Sequence, residues 1–325
     1  MYTVDLMDAL PGLDGTFHVE CVLGSGGGGT VYKAWHKRLR KHVVIKEFRH
    51  QSSIGRESGR NEVEALKYVK SAYLPQVFDF LSGCGCSISV MEFIDGESFD
   101  KLLGRGQRFT QSQAIRWYGQ LSSALEELHR QNICHRDIKP ANIMLTPGGD
   151  ICLIDFNAAT VKGKDSRFIS RSRGYASPEQ YELYKLLKLS SGVYPAINDG
   201  ESSNATVFSG AQMLTDADAT GIEAAPPGLP AAPQAHGIDW KRSDIYSLGA
   251  TMYHILTGNR PQYKAAGRIV RHESHSSPGS GYAQGYDFSS CLSIIERSTG
   301  MNPGDRYASA AELSRDIYKV LINRR

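Results

Sequence analysis

Cys134-His135-Arg136-Asp137-Ile138-Lys139-Pro140-Ala141-Asn142 is the stretch on which the reading of this chain turns. It places a histidine, an arginine, an aspartate, a lysine and an asparagine within one loop. The flanks are apolar. Upstream, Ile115, Trp117, Leu121, Leu125 and Leu128 recur at the spacing of one helical face, so the run from Gln113 to His129 is predicted to be an amphipathic helix. Downstream, Ile151 to Ile154 is a short apolar run bounded by Gly148-Gly149-Asp150 and reads as a buried strand. A loop this polar, held at both ends by core elements, is where a rigid scaffold places reactive groups.

The bulk numbers set the outer limits. A chain of 325 residues suits one large two-lobed domain or two ordinary ones. Its 41% hydrophobic and 22% charged residues are those of a soluble globular protein. A net charge of +3 with no polybasic run makes neither nucleic acid nor an acidic membrane surface an expected partner. The six cysteines are scattered, at Cys21, Cys84, Cys86, Cys134, Cys152 and Cys291. Only Cys84 and Cys86 are close, and they lack the second pair that a zinc site needs. Scattered thiols fit a reducing compartment, so a cytoplasmic location is expected. No apolar run is long enough to be a membrane span or a secretory signal.

Residues 1–16 lack periodicity and read as a lead-in. From Phe17, apolar residues alternate with His18 and Glu20, the mark of a strand. It runs into Leu23-Gly24-Ser25-Gly26-Gly27-Gly28-Gly29-Thr30-Val31, in which Gly24, Gly26, Gly29 and Val31 fill the pattern G-x-G-x-x-G-x-V. A dinucleotide-binding unit would open a helix at this point. Val31 to Trp35 instead reads as a second strand, so the glycines form a hairpin whose backbone N–H groups can approach phosphates. Gly27 and Gly28 lead us to expect an unusually mobile flap. His42-Val43-Val44-Ile45-Lys46 is a third strand ending in a lysine. Residues 56–70 are predicted to be helical, with Val63, Leu66, Tyr68 and Val69 on the apolar face and Glu57, Glu62 and Glu64 as acids. Tyr73 to Phe80 leads into a strand, and a Gly-Cys-Gly-Cys turn connects it to Ser87–Phe93.

In this order the segments resemble those of protein kinases. His135 to Asn142 resembles the catalytic loop H-R-D-x-x-x-x-N, and Val43-Val44-Ile45-Lys46 resembles V-A-I-K. Leu153-Ile154-Asp155-Phe156-Asn157 occupies the place of D-F-G. Ser172-Arg173-Gly174-Tyr175-Ala176-Ser177-Pro178-Glu179 resembles T-x-x-Y-x-A-P-E. Asp244 to Gly249 resembles D-x-W-S-x-G, and Asn302 to Tyr307 is similar to the late arginine motif. The chain is identified as a member of the eukaryotic-type (Hanks-type) serine/threonine protein kinases, most similar to bacterial members. The resemblance implies an α+β, bilobal fold. An N-lobe of antiparallel strands plus one helix is expected at 17–91 and a hinge at 92–97. A mainly helical C-lobe is expected at 98–325.

The same resemblance implies the site. ATP would be held by Leu23, Gly24, Gly26, Gly29, Val31, Val44, Met91 and Met144, with backbone groups of Glu92 and Ile94 at the adenine edge. Lys46 would hold the α- and β-phosphates, oriented by Glu62, which is chosen because Leu66 lies one turn on. Asp137 would accept the proton of the substrate hydroxyl, and Lys139 would neutralise the moving phosphoryl group. Asn142 and Asp155 would ligate Mg2+, with Mn2+ as the alternative. His135, Asp244, and the pair Arg306–Glu179 would be structural, and Ser172 would contact Asp137 and Lys139. Ser166 and Ser170 are candidate phosphosites whose phosphate would pair with Arg136.

Two departures stand out. Asn157 replaces a glycine, which is expected to restrict loop flipping while keeping metal binding. From about 186 to 237 the chain turns rich in Ser, Ala, Gly and Pro, an insert expected to be mobile. It is either an inert loop or a docking surface for a partner, anchored by Val207, Phe208, Met213 and Leu214. The expected activity is transfer of the ATP γ-phosphoryl group to Ser/Thr hydroxyls of proteins, with autophosphorylation. The rival is an ATP-binding pseudokinase scaffold, which Asn157 and the extra glycines favour and the intact Lys46, Asp137, Asn142 and Asp155 oppose.

Overall fold

Alternation in the first third of the chain is realised as one antiparallel sheet. The computed structural model describes residues 15–26, 29–49, 62–67, 69–83, 86–161, 168–169, 172–191, 223–224, 237–261 and 288–322. Strands β1 (Phe17–Gly26), β2 (Gly29–His36), β3 (Lys41–Arg49), β4 (Val77–Gly83) and β5 (Cys86–Glu92) assemble in the order β1-β2-β3-β5-β4. Successive side chains of a strand face opposite ways, so Val43 and Ile45 enter one apolar cluster with Phe17, Tyr32, Ala34, Ile88 and Val90. Val44 and Lys46 therefore face the other side, where Val31 and Met91 join the main core. The β1–β2 register breaks between Val19 and Cys21 and again between Val22 and Gly24. These irregularities bend the hairpin that carries Gly24, Gly26 and Gly29.

The helix expected over 56–70 is helical at residues 62–66, which we label α1; Glu57 and Tyr68 lie outside the described residues. Its end has a physical reason. The chain must turn so that the Tyr73 carbonyl can accept the Leu153 N–H at 2.9 Å, and this bond ties the N-lobe to the strand after the catalytic loop. Ala65 and Leu66 are buried in the main core.

The second lobe is built around α3 (Gln111–Arg130). Its N-terminus is a capping box: Thr110 Oγ1 accepts from Gln113 N, and Gln113 Oε1 accepts from Thr110 N. The helix therefore starts two residues before the apolar periodicity does. Ile115, Trp117, Leu121, Leu125 and Leu128 are all buried. Trp117 packs edge-on against Phe99, from α2 (Phe99–Gly104), and against Phe109. The α3 helix is flanked by α5 (Trp240–Thr257) and α7 (Ala310–Ile322), with α6 (Phe288–Ser298) beside those two. Helix α7 begins at Ala310, just after Ser309, whose Oγ accepts from Glu312 N. Short strands β6 (Glu97–Ser98), β8 (Ile143–Leu145) and β9 (Ile151–Leu153) form a small sheet, and β7 (Ile133–Cys134) pairs with β10 (Thr160–Val161). Among the described residues no helix is long and apolar enough to cross a membrane.

The compositional boundary near 186 is not a structural one. Helix α4 (Pro178–Ser191) continues past it, and a two-residue strand β12 (Glu223–Ala224) pairs antiparallel with β11 (Phe168–Ile169). The remainder of 192–236, including Val207, Phe208, Met213 and Leu214, lies outside the described residues.

One ion pair fastens α4 to the far end of the lobe. Arg306, 2% exposed, donates Nη1 and Nη2 to the two Glu179 oxygens at 2.7 and 2.8 Å. It also donates to the Gly300, Arg242 and Met301 carbonyls. Such a pair is costly to break from one side only, because the partner charge stays buried. Arg306→Ala is expected to lower unfolding stability by about 3–5 kcal/mol, with Glu179→Gln milder. Urea titration checks this, and an unshifted midpoint for Arg306→Ala would contradict it.

Candidate active site

The catalytic-loop stretch lies between β7 and β8, and its backbone is held by one carboxylate. Asp244, fully buried on α5, accepts His135 N at 2.9 Å and Arg136 N at 2.7 Å, and its Oδ2 lies 3.0 Å from His129 Nε2. These bonds hold Arg136 at φ 66°, a left-handed conformation that costs a non-glycine residue on the order of 1–2 kcal/mol. His135 packs its ring 4.6 Å from Phe156, and its Nε2 lies 3.2 Å from the Ile154 carbonyl oxygen. It is a packing residue, as the sequence suggests. Arg136 is buried, with its Cζ 4.0 Å from the Trp240 ring centroid, while Gln180 Nε2 donates to its carbonyl at 2.8 Å. The phosphosites expected to reach Arg136, Ser166 and Ser170, lie outside the described residues, as do Lys162, Lys164, Arg167 and Arg171.

Asp137 sits in a closed polar network. Ser172 Oγ donates to its Oδ1 at 2.6 Å, and Lys139 Nζ lies 2.9 Å from Oδ2. Lys139 also donates to Ser172 Oγ at 3.3 Å. Asn142 spends its amide N–H groups on Asp137, at the backbone carbonyl (2.8 Å) and at Oδ2 (3.1 Å). Its side-chain oxygen is left to face something else.

Lys46 and Glu62 meet inside the other wall. Lys46 Nζ donates to Glu62 Oε1 at 2.5 Å, and that oxygen also accepts Phe156 N at 3.3 Å. Burial alone would push the Lys46 ammonium down. The charges of Glu62 and Asp155 outweigh that and raise it, so the lysine is a cation. Of the other two acids on this segment, Glu64 pairs with Lys67 and Glu57 lies outside the described residues. Asp155 Oδ1 is 3.7 Å from Lys46 Nζ, and this buried oxygen makes no hydrogen bond. A carboxylate oxygen so placed, in the same cleft as the remaining oxygen of Asn142, fits a hard divalent cation. Asp155 itself has φ 66°; Asn157 is not among the positive-φ residues. Asparagine in place of glycine therefore imposes no backbone strain there.

Between the lobes lies a cleft with about 670 Å³ of open space. Leu23, Val31, Val44, Met91, Glu92, Ile94 and Met144 line it, together with Lys46, Asn142 and Asp155. Gly24, Gly26 and Gly29 sit in the β1–β2 hairpin that carries Leu23 and Val31. Pro75, Phe93, Ala141 and Ile154 complete the wall; their sequence context marks them only as neighbours of motif residues. Glu92 N donates to Gln76 O at 2.8 Å, so this N–H is already satisfied within the protein.

Beyond Ser172 the chain folds back against the end of α5. Tyr175 Oη and His254 Nδ1 are hydrogen-bonded at 2.6 Å. Burial, reinforced by the charges of Arg260 and Arg108, lowers His254 to about 4.

Two outcomes follow. Lys46→Ala is expected to lower phosphoryl transfer by about 10²-fold or more, with a moderate stability loss because the buried Glu62 carboxyl loses its partner. Adding Glu62→Gln should recover stability but not turnover; an unfolded Lys46→Ala protein would make the lysine a lobe-stabilising group. The second outcome concerns pH. His254 is depressed below its unfolded value of about 6.5, so the unfolded chain binds the extra proton first. This contribution is present above pH 6.5 and is lost as pH falls toward 4, on the order of 3 kcal/mol in all. His254→Gln should flatten that part of the stability–pH curve; an unchanged slope would refute the assignment.

Comparison with known proteins agrees with this geometry. A match to the protein kinase domain family covers residues 17–188, just over half of the chain. A probable serine/threonine-protein kinase of Streptomyces coelicolor is 30% identical over 183 residues, 52% of this chain and 27% of its own length. The serine/threonine-protein kinase PknA of Corynebacterium glutamicum is 31% identical over 188 residues, 54% of this chain and 40% of its own. PknH of Mycobacterium tuberculosis is 25% identical over 320 residues, 94% of this chain and 42% of its own. The chain thus spans less than half the length of these relatives. With the antiparallel N-lobe, the helical second lobe and the cleft between them, the chain belongs to the protein kinase domain family and is similar to its Hanks-type bacterial members.

Proposed function

We propose that this domain transfers the γ-phosphoryl group of ATP to serine or threonine hydroxyls of protein substrates. The observation that carries the reading is the convergence on one cleft of Lys46, Asp155 and Asn142, the last hydrogen-bonded to Asp137 of its own loop, from three separate segments, with Lys46 already paired to Glu62. A purely structural role would not account for that set, since each buried charge costs desolvation that an apolar side chain would avoid.

The residue roles follow from the bonds they make. Lys46, held cationic by Glu62 and Asp155, would engage nucleotide phosphates. Asp137 would orient the acceptor hydroxyl and take its proton as the oxygen attacks the γ-phosphorus and the bond to the bridging oxygen breaks. Ser172 and Lys139 fix the Asp137 carboxylate, and Lys139 would offset charge on the group in transit. Asp155 and Asn142 would hold a divalent cation, Mg2+ or in its place Mn2+. That cation supplies neutralisation of phosphate charge when bound. Residues 17–91 would act as the nucleotide-covering lobe, 92–97 as the hinge, and 98–325 as the substrate-bearing lobe, with 1–16 as a lead-in and 186–237 as an insert open to a docking partner. The scaffold reading, nucleotide binding without turnover, finds no support in Asn157, whose backbone is unstrained.

Incubation of the protein with labelled ATP and Mg2+ tests this directly. Label should appear on the protein itself or on an added protein substrate, and Asp137→Asn should reduce it by about 10²–10⁴-fold. Tight nucleotide binding with no transfer by the unmodified protein would favour the scaffold instead.

A further inference from the structure

The surface beside Asp137 carries a charge pattern that bears on the substrate. Ser172, hydrogen-bonded to Asp137, opens a tight turn: its carbonyl accepts Tyr175 N and Ala176 N at 2.9 and 3.0 Å. A peptide that presents its hydroxyl to Asp137 must pass close to this turn.

The segment after α5 closes on the same turn. Gly174 has φ +86°, and a Cβ there would lie 2.6 Å from the Pro261 carbonyl oxygen, so the two backbones are in direct contact. Arg260 donates Nη2 to the Arg173 carbonyl at 3.0 Å, and its Cζ stands 5.6 Å from the Tyr175 ring centroid. Arg108 arrives from the loop ahead of α3. It packs directly on Gly258, where a Cβ would meet its Cζ at 2.5 Å. Both Arg108 and Arg260 act on His254, the Tyr175 partner, so they flank one spot.

Arg108, Arg173 and Arg260 are exposed. Among the described residues, none of the three has a carboxylate within ion-pair distance. Other arginines of this lobe differ: Arg105 is matched to Glu97 and Arg306 to Glu179. Asp100 on α2 is the acid facing Tyr175, and its influence there is weaker than that of Arg260. Arg108 also sits favourably at the C-terminal end of the α5 dipole, but that interaction leaves its guanidinium at the surface. The result is a net cationic rim next to the acceptor position.

We propose that Arg108, Arg173 and Arg260 select Ser/Thr substrates that carry acidic side chains close to the acceptor hydroxyl. The proposal rests on the protein-kinase reading above and adds the substrate's charge class to it. Complementary charge at an exposed rim gives modest affinity per pair, but it discriminates strongly against the opposite sign.

Three peptides test it, identical except that the acceptor serine is flanked by Glu, Ala or Lys. For the full chain, kcat/KM should be roughly tenfold higher with Glu than with Ala, and lowest with Lys. The advantage should shrink as salt is raised to about 0.5 M. Arg108→Glu with Arg260→Glu should invert the order; Arg108→Gln with Arg260→Gln should level it, with thermal unfolding recorded for each variant. Equal rates for the three peptides, a preference for Lys, or an order unchanged in folded variants would overturn the proposal. If the variants do not fold, the unmodified protein's ranking and its salt dependence still decide. Absence of any transfer, to peptides or to the protein itself, would instead sink the kinase reading.

Discussion

A single buried carboxylate fixes the geometry on which the site depends. Asp244 gathers the N–H groups of His135 and Arg136 and faces His129, so three groups from two parts of the chain close on one point. Without those acceptors the two loop N–H groups would be buried and unpaired, at a cost of about 1–3 kcal/mol each. The same bonds sustain the left-handed Arg136, and that conformation sets the direction in which Asp137 leaves the loop. Strain is thus held by a helix whose Ile245, Leu248 and Met252 are packed into the main core.

The other wall of the cleft uses a different device. A lysine in a strand and a glutamate in a short helix are each unfavourable to bury alone, and together they become tolerable. The pair registers α1 against β3, and the bond from Phe156 N to Glu62 extends that register to the segment carrying Asp155. The Tyr73–Leu153 backbone bond makes a second tie between lobes. The positions of Lys46, Glu62 and Asp155 and the contact between the lobes are therefore coupled through these bonds.

Much of this is legible in the chain because local rules suffice for it. Period-2 alternation places β1 to β3, and period-3.6 spacing places α3. A glycine-rich turn followed by a strand separates a hairpin from a dinucleotide fold. Helix ends are less legible. The α3 start is set by the Thr110–Gln113 capping box, and α7 starts at Ala310, just after Ser309, whose Oγ accepts from Glu312 N. Periodicity carries the helix expected over 56–70 too far at its end, because apolar residues such as Val69 continue past the point where the chain turns toward β9. Composition places an insert boundary at 186, yet helical hydrogen bonding carries α4 to Ser191.

The amino-acid order by itself marked the polar residues of the candidate site: Lys46, Asp137, Asn142 and Asp155 stand in motifs whose spacing is readable without coordinates. Only the tertiary structure decided the company those residues keep. The stacking of Arg136 on Trp240, the Asp155 oxygen left without a hydrogen bond, the Pro75 and Ile154 walls, and the meeting of Arg108 with Arg260 around His254 all join residues far apart in the chain. Local periodicity encodes an element and its buried face. Which distant side chain covers that face depends on how the elements pack, and no short-range pattern records it.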